Sequence, residues 1–328
     1  MPAVYPVNAP FNTNPSYSGT FIPTVWSAKM NAKFYATTVF GEIANTDWQG
    51  EISNMGDKVV INTAPSLTVS NYVPGAGLNY EVPVPSSQEL LIDKGKYFAF
   101  QVNDVLAYQA QPNLIDTFSA DAAQQMRIAI DSDVLYRTFN QAAATNKGTT
   151  AGAKSGKYNL GTDTAPVTLT AGTVLEKILQ MASVMDESNL PDDGRWLLID
   201  PYTRSLLMQS NLAQANFMGD STSIVRNGLI GTIDRFKLYV TNQLPKAVAG
   251  TNTPWISGDG VDQSVTSTSG LARRALVAGH KSALTFASQI TKMETVRNTS
   301  DFGDYIRSLN VYGSKVVKAD ALVTLIAA

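Results

Sequence analysis

From Asn113 to about Ala144 the chain holds no proline and no glycine. Leu114, Phe118, Ala122, Met126, Ile130 and Val134 recur there every fourth position, with Leu135 and Phe139 continuing a neighbouring row. That spacing predicts one helix over about 113–144, with Asn113 as N-cap and Asp116 in the first turn. At about 1.5 Å per residue it would run roughly 45 Å. This is far beyond an ordinary globular helix, and it reads as a spine that organises the region around it. Asp131 and Asp133 lie among its polar positions, two residues apart and so not on one face. They are expected on a solvated surface.

The other apolar runs are short and have β character. Residues 58–61, 89–92, 97–102, 196–200 and 236–241 predict strands, as do 284–290, 306–312 and 321–326. Between the first two lies a long excursion, 63–92, punctuated by Pro65, Pro74, Gly75, Gly77, Pro83 and Pro85. A lone two-stranded hairpin is marginal in water. Its apolar residues, Tyr72 and Tyr80 among them, therefore need cover, either from their own domain or from an adjacent subunit. The 26–44 stretch predicts a short helix.

Upstream, residues 1–23 contain five prolines interleaved with Tyr5, Phe11, Tyr17 and Phe21. Prolines this frequent exclude helix and central strand, while the aromatics are unlike a disordered tail. The segment reads as an extended arm lying on its own domain or on a neighbour. Residues 147–166 are polar and Gly/Thr/Lys-rich, as a linker or surface loop. Thr173 and Glu176 match a capping box at the head of a helix with an apolar face of Val174, Leu175, Ile178, Met181, Ala182 and Met185. The 189–194 turn, the 196–200 strand and a helix from Pro201 then give a mixed α/β region. Residues 245–270 form a polar insertion.

Composition narrows the function. Charged residues make up 16% of the chain, against about 25% in ordinary soluble proteins. This fits a surface covered by partners, and equally a Ser/Thr/Asn/Gln-rich surface. The net charge of −2 argues against capture of nucleic acid by a basic stripe, though not against passive contact with it. The absence of cysteine excludes disulfides, thiolate metal sites and Cys nucleophiles. The single histidine, His280, cannot by itself supply a triad or a multi-His metal site, and is expected to be structural. The N-terminus has no signal-peptide pattern, and no apolar stretch is long enough to span a membrane. Gly75-Ala76-Gly77 lacks the context of a dinucleotide fingerprint. Asp192-Asp193-Gly194 reads as a turn, and Arg273-Arg274 as a solvated pair or a surface facing polyanion. The residues carry no catalytic constellation, cofactor site or metal site, so the expectation is not an enzyme.

The order of these parts resembles the Hong Kong 97-like major capsid fold of tailed bacteriophages. Local runs carry the resemblance: 21–27 (FIPTVWS), 56–61 (GDKVVI), 93–100 (DKGKYFAF), 196–201 (WLLIDP), 228–231 with 236–245, and 301–304 with 312–317. It implies an α+β chain divided into an N-terminal arm (1–23) and the start of a peripheral domain (24–62). An extended loop (63–92) follows, then the peripheral domain with its spine helix (93–150). An axial domain (165–275) and a C-terminal return (276–328) complete the division. By the same resemblance the chain would be a major capsid protein in the virion shell, assembling as hexamers and pentamers around double-stranded DNA.

Tyr5, Phe11, Tyr17, Tyr72 and Tyr80 are the expected subunit-interface anchors, since buried aromatics often carry interface energy. The expected partners are the chain itself, a portal protein, a scaffolding protein, a decoration or cement protein, and packaged DNA in passive contact, with no membrane. Two other readings stay open on the residues alone. One is a tail tube or sheath subunit, which the long helix disfavours. The other is a soluble α/β binding protein.

Overall fold

The computed structural model describes residues 36, 38–48, 58–63, 65, 67–72, 74–75, 77, 80–104, 114–210, 231–247, 255–256, 271–299 and 302–328. The proline-rich arm, most of the 26–44 stretch, the Asn113 cap and most of the 245–270 insertion lie outside them. Within 38–48 one helical turn, α1 (Phe40–Ile43), forms. A hairpin of β1 (Lys58–Thr63) and β2 (Ser86–Leu91) follows, antiparallel with Val60 opposite Glu89. Next come β3 (Lys94–Asn103) and the spine helix α2 (Leu114–Thr138).

The spine helix has 25 residues and stops short of Ala144. Helix propensity favours continuation, but tertiary contacts claim the chain instead. The N–H of Ala143 donates to the carbonyl of Ala319 at 3.1 Å. Asn146 Nδ2 donates to the carbonyls of Asp320 (2.7 Å) and Leu322 (3.0 Å). Carbonyls at the helix end are satisfied by side chains, with Gln141 Nε2 on Arg137 and Lys147 Nζ on Asn140, both 2.9 Å.

The 147–166 segment is no loose linker. Ala151 and Leu160 are fully buried. Gly161 adopts φ +76°, and a Cβ there would stand 3.0 Å from the backbone nitrogen of Val167. Helix α3 (Val174–Glu187) then buries Val174, Ile178, Met181, Ala182 and Met185 as its periodicity predicts, together with Val184. Its capping box does not form. Thr173 Oγ1 instead accepts from Thr170 N–H at 3.0 Å, and Glu176 accepts from Gln180. The carbonyl of Thr170 already takes the N–H groups of Thr173 and Val174, so the helical turn begins earlier than the motif assumes.

The remaining elements are β4 (Arg195–Ile199), α4 (Pro201–Gln209), β5 (Thr232–Ile233), β6 (Phe236–Val240), β7 (Lys246–Ala247), β8 (Arg273–His280), β9 (Leu284–Arg297), β10 (Gly303–Val316) and β11 (Leu322–Ala327). They form two sheets besides the hairpin. One is antiparallel in the order β3-β10-β9. The other has six strands in the order β11-β8-β4-β6-β5, with β7 beside β8. Strand β8 crosses residue 275, so residues 273–280 and the C-terminal strand share the sheet of β4. Of the strand pairs in this sheet among the described residues, β4–β6 is parallel and the others are antiparallel.

Strand β4 is buried throughout, and alternate residues enter different cores. Trp196 and Leu198 join Ile130, Val134, Leu135, Phe286 and Tyr312. Leu197 and Ile199 join α3 and Leu207 on the opposite face.

Two further expectations fail. Asp131 and Asp133 are buried, at 0% and 4% exposure, because this half of α2 is enclosed by the α1 segment and β10. Asp131 accepts backbone N–H bonds from Val39 and Phe40, while Asp133 pairs with Arg137 at 3.0 Å and accepts from Tyr312 Oη. Nor is the Arg273-Arg274 pair solvated. The Arg273 side chain is fully buried, pairs with Asp163 at 2.7 Å and lies against the Trp255 ring. Arg274 pairs with Asp200 at 3.2 Å and stacks 4.2 Å above Tyr202.

Candidate functional site

Among the described residues, exposed apolar side chains gather on the hairpin and the sheet beside its root. Tyr72 is 73% exposed and Tyr80 87%, with Leu67, Val69, Val82 and Val84 exposed around them. Prolines at 65, 74, 83 and 85 remove backbone donors, so this extension is excluded from a sheet ladder along much of its length. What ties its two limbs is a side chain: Glu81 Oε2 accepts the N–H of Thr68 at 3.1 Å. That backbone bond holds the Glu81 carboxyl below its ordinary range. Tyr5, Phe11 and Tyr17 lie outside the described residues, so of the five expected anchors only the two hairpin tyrosines can be placed. Both are on the exposed extension.

The root is anchored by packing. Ile61 and Leu90 from the two hairpin strands meet Ala287 of β9 and Val317, with Trp48, Val59 and Ile92 packed around them. Residues 91–92 pass directly over Gly313 of β10, and a Cβ there would stand 3.0 Å from the carbonyl carbon of Leu91 and 3.1 Å from Ile92 Cα. Lys58 and Glu89 form an exposed ion pair at 2.7 Å, which adds little.

The three-stranded sheet has one face against α2 and one outward. Phe98 and Phe100 turn towards the helix, and Phe100 meets Phe118 edge-on at 6.0 Å. The outward face carries Tyr97 opposite Leu309, and Tyr305 opposite Val296, all substantially exposed. Arg307 pairs with Glu294 at 2.6 Å between them. Sequence reading did not single these residues out. Alternation in β3 carried the signal: its odd positions Tyr97, Ala99 and Gln101 face away from Phe98, Phe100 and Val102. At one end of this sheet Arg297 pairs with Asp104 and Asp304, which holds Asp104 below its ordinary pKa.

A cleft of about 450 Å³ opens where β4 and β6 end, lined by Asp200, Tyr202, Thr241, Asn242, Lys246 and Arg274. Open α/β sheets hold ligands at such a place. Here the carboxylate and the guanidinium bind each other, and Asp200 also caps α4 through the N–H of Thr203 at 3.1 Å. His280 is tied to Ser282 through Nδ1 at 2.8 Å. Among the described residues no cluster of three or more His, Asp or Glu is placed to hold a metal ion, and no helix is long and apolar enough to cross a membrane.

Comparison with known proteins gives this surface its context. A family model described as phage capsid protein matches residues 87–325. No curated protein sequence matches significantly. Among solved structures the chain is similar to one from Mycobacterium phage Che8, with TM-score 0.70 and 24% identity over 93% of this chain and 97% of that one. It is similar to the capsid structure of cyanophage P-SCSP1u, with TM-score 0.69 and 17% identity over 94% and 93%. It also resembles the asymmetric unit of the bacteriophage PhiM1 mature capsid, with TM-score 0.65 and 15% identity over 92% and 91%.

Proposed function

The chain belongs to the phage capsid protein family, with the Hong Kong 97-like major capsid fold and a place in the virion shell, and we propose that its hairpin and the outward face of its three-stranded sheet are the surfaces through which copies join. Family and fold are those of a structural protein that associates with itself.

In this reading the six-stranded sheet with α3 and α4 is the axial region around which hexamers and pentamers form. The spine helix with the β3-β10-β9 sheet is the peripheral region. The 63–92 hairpin lies over a neighbouring subunit, and residues 1–23 cross to another. Portal, scaffolding and decoration proteins are the proposed further partners, and packaged DNA touches the shell passively.

The observation that carries the proposal is the exposure of the hairpin residues. Leu67, Val69, Tyr72, Tyr80, Val82 and Val84 are all more than 60% exposed on a two-stranded element whose described residues form no core beyond the root. Scattered apolar residues are normal on a monomer, but a contiguous set on one projecting element marks an interaction surface. Each subunit is then held at many sites, and modest contacts sum to a stable shell.

The test replaces Tyr72 and Tyr80 together with serine. Both are exposed, so subunit stability should change by less than about 0.5 kcal/mol. Assembly yield, read by negative-stain electron microscopy and light scattering, should fall at least tenfold. Wild-type yields of closed shells from the double variant would refute the assignment.

A further inference from the structure

The spine helix carries a carboxylate where a charge is costly. Asp131 is fully buried. Its Oδ1 accepts the N–H groups of Val39 (3.1 Å) and Phe40 (2.9 Å), the residues that open α1. Those donors have no intrahelical acceptor, so a side chain from another helix satisfies them. Its Oδ2 is equally buried and has no hydrogen-bond partner among the described residues.

Among the described residues Asp131 forms no ion pair. On its own helix, Arg127 lines a cleft with Phe40, Phe286 and Asn310. Asp133 pairs with Arg137. On the α1 segment, Glu42 reaches Tyr239 and Lys237 of β6, and Asp47 is exposed. From β3, Lys94 couples to Arg137 and Asp133, and from β10 Tyr312 donates to Asp133. Thr285 of β9 bonds Asn45. Burial dominates and lifts the Asp131 pKa to about 6, against the two N–H bonds that lower it.

We propose that Asp131 is a proton-operated latch between the spine helix and the segment 38–43, held more firmly when protonated and loosened when ionised. While the segment is docked the carboxyl is dry. When it lifts, the carboxyl meets water and titrates as an ordinary aspartate. A proton therefore favours the docked state. The neutral acid keeps Oδ1 as acceptor for both N–H groups and no longer buries an uncompensated charge. Because the docked pKa is the raised one, the added stability is present at low pH and is lost as pH rises through about 6. The docked-to-lifted ratio should rise about tenfold from pH 7 to pH 5.

Hydrogen exchange of the full-length, unassembled chain tests this, with rates corrected for the intrinsic effect of pH. The amides of Val39 and Phe40 should be about tenfold better protected at pH 5 than at pH 7. The strand 195–199 should not follow them. Asp131→Asn keeps the acceptor oxygen without the charge, and its protection of 38–43 should be flat across this range. The wild-type series decides alone if that variant fails to fold. Protection in the wild type that is independent of pH would overturn the latch. So would an equal change in 195–199, or the same slope in Asp131→Asn.

Discussion

Gly313 is where the hairpin root crosses β10, and Gly313→Ala puts the root under a definite load. A Cβ at this position would overlap the carbonyl oxygen of Leu91, with the carbonyl carbon 3.0 Å away. The colliding atoms are backbone, which cannot rotate aside as a flexible side chain could. Residues 91–92 must shift outward by several tenths of an ångström or more. Leu90 and Ile61, now 0% and 7% exposed, would then be partly withdrawn from Ala287 and Val317. Overpacking of this kind costs about 1–3 kcal/mol. Withdrawing half of a buried leucine adds about 1 kcal/mol, giving about 2–4 kcal/mol in all. Urea unfolding of the unassembled subunit reads the loss, and limited proteolysis within 65–85 reads the freed hairpin. Gly77→Ala is the control: among the described residues nothing lies within 4 Å of a Cβ there, so it should be neutral within about 0.5 kcal/mol. A Gly313→Ala subunit with the wild-type urea midpoint and wild-type shells would show that the crossing is not as tight as described.

Asp200→Ala removes the α4 cap and the partner of Arg274. It should cost about 1–2 kcal/mol by thermal or urea unfolding, and an unchanged midpoint would count against the cap. Arg273→Met leaves Asp163 without its buried partner at 2.7 Å. Because Asp163 keeps some contact with water, the expected loss is about 2–3 kcal/mol, below the 3–5 of a fully buried pair. A variant as stable as wild type would mean that the Trp255 ring and the methionine side chain compensate fully.

Where periodicity reports a face that packs within one chain, the sequence was legible. The α3 stripe is one case, and the continuous apolar run of β4, buried on both sides, is another. Strand β8 was harder: its basic start, Arg273-Arg274, looks like surface, and only the partners Asp163, Asp200, Tyr202 and Trp255, far away in sequence, make it interior. Asp131 misled for the same reason. A carboxylate on a helix is normally solvated, and what buries this one is a segment about ninety residues upstream that supplies two N–H donors. The Thr173 capping box failed because Thr170 competes for the same turn, a contest between neighbours that a four-residue motif does not encode. The hairpin tyrosines could be nominated from the need for cover, but the outward row of Tyr97, Leu309 and Tyr305 depends on a cross-strand register that unites residues some two hundred positions apart.

Strand β4 floors two cores at once, with Trp196 and Leu198 in one and Leu197 and Ile199 in the other. Close-packed interiors compress little and pass strain on. Strands β8 and β11 divide their residues between the same two cores, so tension on the spine-helix side is handed across this shared sheet to the α3 side. Mechanically the subunit is a laminate with a shared middle ply. Under outward pressure it should stretch and yield as one piece, with no seam along which either half could peel away first.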